Sequence, residues 1–444
     1  MTAPPQWNAN PAVQQAVQAR DYATILRFSR LAAGLTLEQL GAAGGYSTST
    51  LSRLESGRRA VRDVAELRTL ADLYDVPMEM FGLATAPGQA GGSTLAATVD
   101  GEGSTVHRRN FLAGAAAVGA AAALPASPAP AAPTGHTVED VLFGRLTAEP
   151  LPGQQLAAQI AAARADYRAT RYTRLARRLP RLLAQAAASR SAAGVGEQAA
   201  AAQRLAEAYG VATQLLIKLY DNGLACATAD RAMQAAAAGN DPLIMAESQR
   251  LAATILRRTN HPGSAQQHAL EAAEQLRTSS PDTGPAFHAM YGQLLAVAAY
   301  TAAIRDDRDT AWTLLAEAEQ PAHAAGHSTR FNTTELAVYR IGVARKLGDY
   351  GAAVDYAGKV DQRSIVDPER RARYWEDTAL ALQGRGRPAA AFDTLLAAER
   401  DVPEEVRYRP WSQQLTRDLL SAPASYGLSG VLDFAARVGV VSAV

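Results

Sequence analysis

The chain has 444 residues, 48% hydrophobic and 20% charged, with a formal net charge of +1. That length implies two or three domains, and the near-zero charge excludes a global field that would draw the protein to nucleic acid or membrane, so any such attraction is local. A single cysteine, Cys226, excludes an intrachain disulfide and a cysteine-cluster zinc site.

The seven histidines have no H-E-x-x-H spacing, and neither G-x-S-x-G nor a P-loop occurs. No enzymatic activity, cofactor or metal is therefore expected. Alanine is abundant and aromatics make up only 6%, which favours helices, because Ala loses almost no side-chain entropy there. Only Lys218, Lys346 and Lys359 among the 44 basic residues are lysine. GC-rich coding accounts for that preference, so arginine abundance carries no functional weight by itself. Cys226, set among Ala and Thr, reads as a small buried thiol.

Residues 1–19 hold a loose arm, "MTAPPQWNAN", and the start of a first helix. Asn10 caps that helix and Pro11 suits its first position. Its apolar residues include Ile25, Leu26 and Leu31, and it runs to a stop at Gly34. Next comes "GLTLEQLGAAGGYSTSTLSRLESGRR". Thr36 and Gln39 make a capping box, Leu37 and Leu40 form an apolar side, and Gly44-Gly45 ends the short helix. Ser47 caps the following helix, in which Leu51 and Leu54 face inward while Thr48, Ser49, Ser52 and Arg53 point outward.

Two short helices joined by a tight glycine turn make a helix-turn-helix, whose second helix enters the DNA major groove. Gly41 sits at the helix crossing. Arg53, Arg58, Arg59 and Arg62 cluster on and just after that helix, opposed only by Glu55 until Asp63, and such a local excess is what phosphate binding requires. Arg53 suits either a bidentate contact to guanine or a phosphate contact. Glu55 reads as a residue that holds the turn. A further helix carries Val64, Leu67, Leu70, Ala71 and Tyr74, and Pro77 opens a last short turn ending at Gly82-Leu83.

Residues 20–83 resemble the DNA-binding domain of the phage-repressor-like (XRE) family. The pattern "GLT-x-x-x-L…G-x-S-x-x-x-LSR-x-E-x-G" stands in register from Gly34. The resemblance implies a five-helix domain in which Thr48, Ser49, Ser52 and Arg53 face bases. It also implies that the helix termini around Thr36 and Ser47 grip phosphates. Two positions depart from the family: Leu37 replaces a polar residue, and Gly44 replaces a packing side chain at a cost of about 1 kcal/mol. A small helical bundle that docks protein is the alternative.

Residues 84–137 read as a linker. Its first part is rich in Gly, Ser and Thr. Then follows "VHRRNFLAGAAAVGAAAALPASPAPAAP", which looks like a twin-arginine export signal. Export signals are read at an N-terminus, whereas this one follows a folded domain, and its 13-residue apolar core is too short to span a bilayer. A cytoplasmic protein with no stable membrane span is expected. The alternatives are membrane-surface association and export of a product begun at Met78 or Met80.

From Val138 to Val444 helical stretches alternate with recurrent polar turns. Asn222, Pro262, Asp307, Asp349 and Gly386 mark them, spaced 40, 45, 42 and 37 residues apart. Such spacing implies two antiparallel helices per unit, five or six units in all, and a terminal capping pair near "PEEVRYRPWSQQLTRDLL". The repeats resemble tetratricopeptide repeats, "GDYGAAVDYA" most closely, which implies an all-α solenoid whose first helices line a groove. An irregular helical domain without a groove is the alternative.

Tyr209, Arg250, Tyr300, Glu335, Tyr339 and Trp375 fall on such first helices and are candidate groove contacts, each with an ordinary packing or solvent-facing role as its alternative. "NPAVQQAVQARDY", "ARADYRATRYTRLARRLP" and "PEEVRYRP" resemble actinomycete HTH–TPR regulators. The whole implies a sequence-specific, double-stranded-DNA-binding transcriptional regulator. Its helical half would dimerise and sense a peptide, protein or small-molecule effector. An interaction scaffold, or an exported repeat protein, is the competing class.

Overall fold

The computed structural model describes residues 13–14, 16–17, 21–44, 46–55, 59, 61, 64–81, 136–280, 283–326, 330–421 and 428–440. Among the described residues the protein is all-α, with no strand. It divides into two compact units, one comprising residues 1–98 together with 305–307 and the other the rest of the chain. The expected linker lies outside the described residues up to residue 135, as do Asn10, Pro11 and Gly45.

In the N-terminal unit the single long helix expected before Gly34 is two helices. Residues 13–14 and 16–17 are helical, and that stretch closes when the Asp21 amide donates to Ala16 O at 2.8 Å. The Asp21 carboxylate then accepts from the Thr24 amide at 3.2 Å and starts α1, Tyr22–Ala32. Aspartate is a strong N-cap, and it overrides the continuous apolar pattern. Leu31, expected on the apolar side, is 56% exposed.

Gly34, at φ +68°, makes the turn to α2, Leu37–Gly44. The box at its start is present: the Thr36 amide donates to Gln39 Oε1 at 2.9 Å, and the Gln39 amide to Thr36 Oγ1 at 3.2 Å. α3, Thr48–Glu55, and α4, Val64–Leu73, follow, and a 3-10 turn at Met78–Phe81 closes the unit. Ile25, Leu26, Leu40, Leu51, Leu54 and Leu70 form its buried centre. Phe81 meets the Tyr22 ring edge-on at 5.7 Å.

Gly44 does not mark lost packing. A Cβ there would lie 2.5 Å from Leu73 Cδ2, so the α4 leucine already fills the space.

The C-terminal unit begins with α5, Val138–Leu142, capped by a reciprocal Thr137–Asp140 box. Helix pairs follow. The first members are α6 (Gly153–Arg168), α8 (Gln198–Lys218), α10 (Pro242–Arg258), α12 (Pro285–Ile304), α15 (Thr333–Lys346) and α17 (Pro368–Gly384). The second members are α7 (Tyr172–Ala192), α9 (Asn222–Gly239), α11 (Pro262–Ser279), α13 (Arg308–Glu317) with α14 (Glu319–Ala325), α16 (Tyr350–Gly358) and α18 (Pro388–Asp401).

One turn recurs six times. Thr170, Tyr220, Asn260, Asp306, Gly348 and Gly386 all have positive φ, and each stands two residues before the second helix of its pair. A left-handed residue at that place ends one helix and reverses the chain, a geometry that Gly and Asn accept most readily. Small side chains then let neighbouring helices approach. Ala298, Ala299, Ala302 and Ala303 of α12 are fully buried.

The first helices pack side by side along the series, and α17 returns to touch α6, closing the set into a ring. Three further helices, α19 (Pro403–Arg407), α20 (Pro410–Ser421) and α21 (Val431–Arg437), cover the end. Phe434 of α21 packs edge-on against Phe392 of α18 at 5.8 Å.

Cys226 is exposed, not buried as its alanine-rich surroundings suggested. The buried face of α9 runs through Ala225, Ala229, Ala232 and Ala236, and residue 226 falls beside that stripe. No helix among the described residues is long and apolar enough to cross a membrane.

Candidate functional sites: a helix-turn-helix and a charged cavity

The first site is built around α3. Gly41 permits the tight turn before it, since a Cβ at that position would lie 2.5 Å from Tyr46 O. Ser47 starts the helix by accepting from the Thr50 amide at 3.2 Å. Leu51 and Leu54 bury one side of α3 in the core. On other faces Thr48 and Ser52 are exposed and Arg53 is half-exposed, while Thr36 is exposed at the head of α2.

Arg59 is partly buried, and its amide donates to Arg53 O at 3.0 Å just past the helix end. Ser49 lies within α3, its side chain outside what is described. Arg58 and Arg62 lie outside the described residues.

Glu55 fixes α3 in place. Arg30 of α1 grips it in a two-pronged contact, Nε to Oε1 at 2.7 Å and Nη2 to Oε2 at 2.8 Å. The Tyr74 hydroxyl, just past α4, donates to the same carboxylate at 3.0 Å. Glu55 is only 8% exposed, so these partners are its compensation for lost water. The hydrogen bond to Glu55 raises the Arg30 pKa despite burial, and burial reinforced by Glu55 drives the Tyr74 hydroxyl far above its usual range.

The second site is a cavity of about 140 Å³ on the inner side of the helical unit, walled by α6, α8, α10, α12, α15 and α17. Of the six expected groove residues, Arg250, Tyr300, Glu335 and Tyr339 line it together. Tyr209 and Trp375 do not. Tyr209 is buried in the core between α6, α7 and α8. It precedes Gln214, which does face the cavity, by five residues, a rotation of roughly 140°. Trp375 points the other way on α17, where its Nε1 donates to Asp401 of α18 at 2.9 Å.

Sequence reasoning missed most of the wall. Eight cationic side chains line the cavity against three carboxylates. Several are paired. Lys218 Nζ lies 2.7 Å from Glu369 and also contacts Glu405. Arg370 bridges Glu369 at 2.7 Å and Glu335 at 2.6 Å. Arg250 holds Glu247 at 2.7 Å, and Arg373 reaches Asp377 at 2.9 Å. Gly342 leaves room for that last carboxylate, since a Cβ there would sit 2.7 Å from Asp377 Oδ2.

Burial alone would raise the pKa of Glu369, but Arg370 and Lys218 outweigh it and hold that carboxyl well below its ordinary value. Arg373 and Arg409 likewise overcome burial at Glu376 and push it down to about 2. At Glu335 burial prevails and the pKa rises, although Arg370 opposes it.

Other cations are not compensated in this way. Arg257 lies over the Tyr300 ring at 5.0 Å and Arg258 over the Tyr220 ring at 3.9 Å. Among the described residues neither has a carboxylate partner. Burial brings the Arg257 pKa down to about 10. Arg330 also lines the wall, and its Nε is buried without a hydrogen-bond partner. The signal was readable in part: 250, 254, 257 and 258 follow helical spacing on α10, as do 370, 373 and 377 on α17. No group of His, Cys, Asp and Glu among the described residues is arranged to hold a metal ion.

Comparison with known proteins adds two matches. A family model described as a helix-turn-helix domain matches residues 21–81. One described as a twin-arginine translocation pathway signal sequence matches residues 105–125. No curated protein and no solved structure matches the chain. Residues 21–81 are thus a helix-turn-helix domain, the kind of unit that binds DNA in regulators.

Because Glu369 and Glu376 have lower pKa values folded than unfolded, the stability they contribute is present above about pH 4.5 and is lost as pH falls toward about 2. The helical unit should therefore melt at progressively lower temperature through that window. Circular dichroism melts at pH 6, 4 and 3 test this, and a Tm unchanged across them refutes it.

Proposed function

We propose that the protein is a sequence-specific, DNA-binding transcriptional regulator of the XRE type, cytoplasmic and dimeric, with a tetratricopeptide-like unit that senses an effector. The observation that carries this reading is α3. One side is locked into a small core by Leu51, Leu54 and the Arg30–Glu55–Tyr74 contact, while Thr48, Ser52 and Arg53 lie on its other faces. Exposed hydroxyls at Thr48 and Ser52, with the partly exposed Arg53, suit base-edge and phosphate contacts in a major groove. The match of residues 21–81 supports the same reading. A cavity walled by Arg250, Tyr300, Glu335 and Tyr339 supports effector sensing by the second unit.

Selection from a random duplex pool should yield a preferred sequence, bound more weakly as salt rises because phosphate contacts release counterions. Arg53→Ala should lower affinity for it by about 1–3 kcal/mol while the helical signal is retained. Unaltered affinity and selectivity would remove Arg53 from the interface.

A single helix-turn-helix buries little surface, and specific sites usually pair two half-sites about 10 base pairs apart. The DNA-bound protein should therefore have twice the 46.7 kDa of one chain by light scattering. One chain per complex at working concentration sinks the dimer.

The match at residues 105–125 favours a second reading, in which initiation at Met78 or Met80 yields an exported helical protein. Its mark is a product lacking the N-terminal unit outside the cytoplasmic membrane. Immunoblotting of cell fractions through a C-terminal tag that detects only full-length, cell-retained chain rules it out.

A further inference from the structure

The inner cavity of the helical unit combines three features that a purely structural ion-pair network does not need. The first is surplus charge. Eight cations line it against three carboxylates, and adding Glu247, Glu376 and Glu405, which pair with those cations from behind, still leaves positive charge in excess. The second is lack of compensation. Arg257 has no carboxylate or hydrogen-bond partner among the described residues, only the Tyr300 ring, and Arg330 has a buried Nε with no partner. A partly buried guanidinium without a carboxylate is costly to keep, and burial lowers the Arg257 pKa accordingly.

The third feature is size. The cavity measures about 140 Å³. Drug-sized ligands fill about 300–1,000 Å³. The cavity is on the scale of a compact oxyanion.

We propose that this cavity is a binding site for a phosphoryl group, carried by free phosphate or by the head of a small phosphate monoester. Guanidinium groups present planar forks of N–H donors that match phosphate oxygens and remain charged at any physiological pH. Arg257 and Arg258 come from the end of α10, and Arg330 from the segment before α15. A tetrahedral dianion meets donors arriving from separate walls better than a planar carboxylate does. Gln214 and Gln293 add amide groups to the same lining. The proposal names the ligand class for the effector unit proposed above. Binding is measured without DNA, however, so failure of the regulator reading and failure of this site are separate results.

The test uses the full-length protein in a non-phosphate buffer. Calorimetric titration with sodium phosphate, a nucleoside monophosphate and citrate is run at matched ionic strength. Saturable binding of phosphate or the monophosphate, with citrate much weaker, is expected. Tighter binding of phosphate identifies the free ion as the source, and tighter binding of the monophosphate identifies a larger metabolite.

Arg257→Met and Arg330→Met should each weaken that binding by about tenfold or more, the scale of a lost charge-assisted hydrogen bond. Each should leave the unliganded protein folded by circular dichroism, because neither arginine forms an ion pair among the described residues. Absence of saturable binding to either phosphate ligand overturns the proposal. So does equal affinity for citrate, or full affinity in both well-folded variants.

Discussion

Lys218 lies between two carboxylates that burial would otherwise make untenable, 2.7 Å from Glu369 and in contact with Glu405. Both acids are about 1% exposed, so neither has water to fall back on, and each depends on its cation. The partners come from far apart in the chain. Lys218 ends α8, Glu369 begins α17 and Glu405 lies in α19. Tyr172 of α7 donates to Glu405 at 2.5 Å, and Arg409 grips its other oxygen at 2.7 Å. Together they tie the end of the helix series to its beginning. Without that closure the inner helices would line an open groove, and the cations facing inward would meet bulk water.

The parts of the fold that depend on local chemistry were legible. A capping box needs residues three apart, and Thr36 with Gln39 could be read directly. The turn after α2 needs a position without a side chain, and Gly41 stands there against Tyr46 O. The recurrent polar turns were visible because a left-handed residue must stand before each second helix, and the markers chosen from sequence fall within two residues of it.

Errors arose where two local signals competed or where the partner was remote. Asp21 lies inside an apolar stretch that continues on both sides, and its capping bond wins over the periodicity. Gly44 seemed to cost packing because Leu73, which fills its space, is 29 positions away in the chain. The inner cavity was half-legible. Arg250, Tyr300, Glu335 and Tyr339 were identified as residues on first helices, but Tyr209 and Trp375 sit on those helices with a different rotation. Ring closure left no sign in the sequence, since it pairs residues more than 180 positions apart.

Arginine abundance is uninformative as a count, yet placement gives it meaning. A net charge of +1 spread over 444 residues conceals a cavity wall where cations outnumber acids. Concentrating like charge inward costs stability, and an anion that neutralised the wall would recover it. Were the proposed anion bound, that recovery would grow with its concentration by mass action, as RT ln(1 + [L]/Kd). That sensitivity to an anion would reside in the few cations, Arg257 and Arg258 among them, that face the cavity without a carboxylate partner among the described residues.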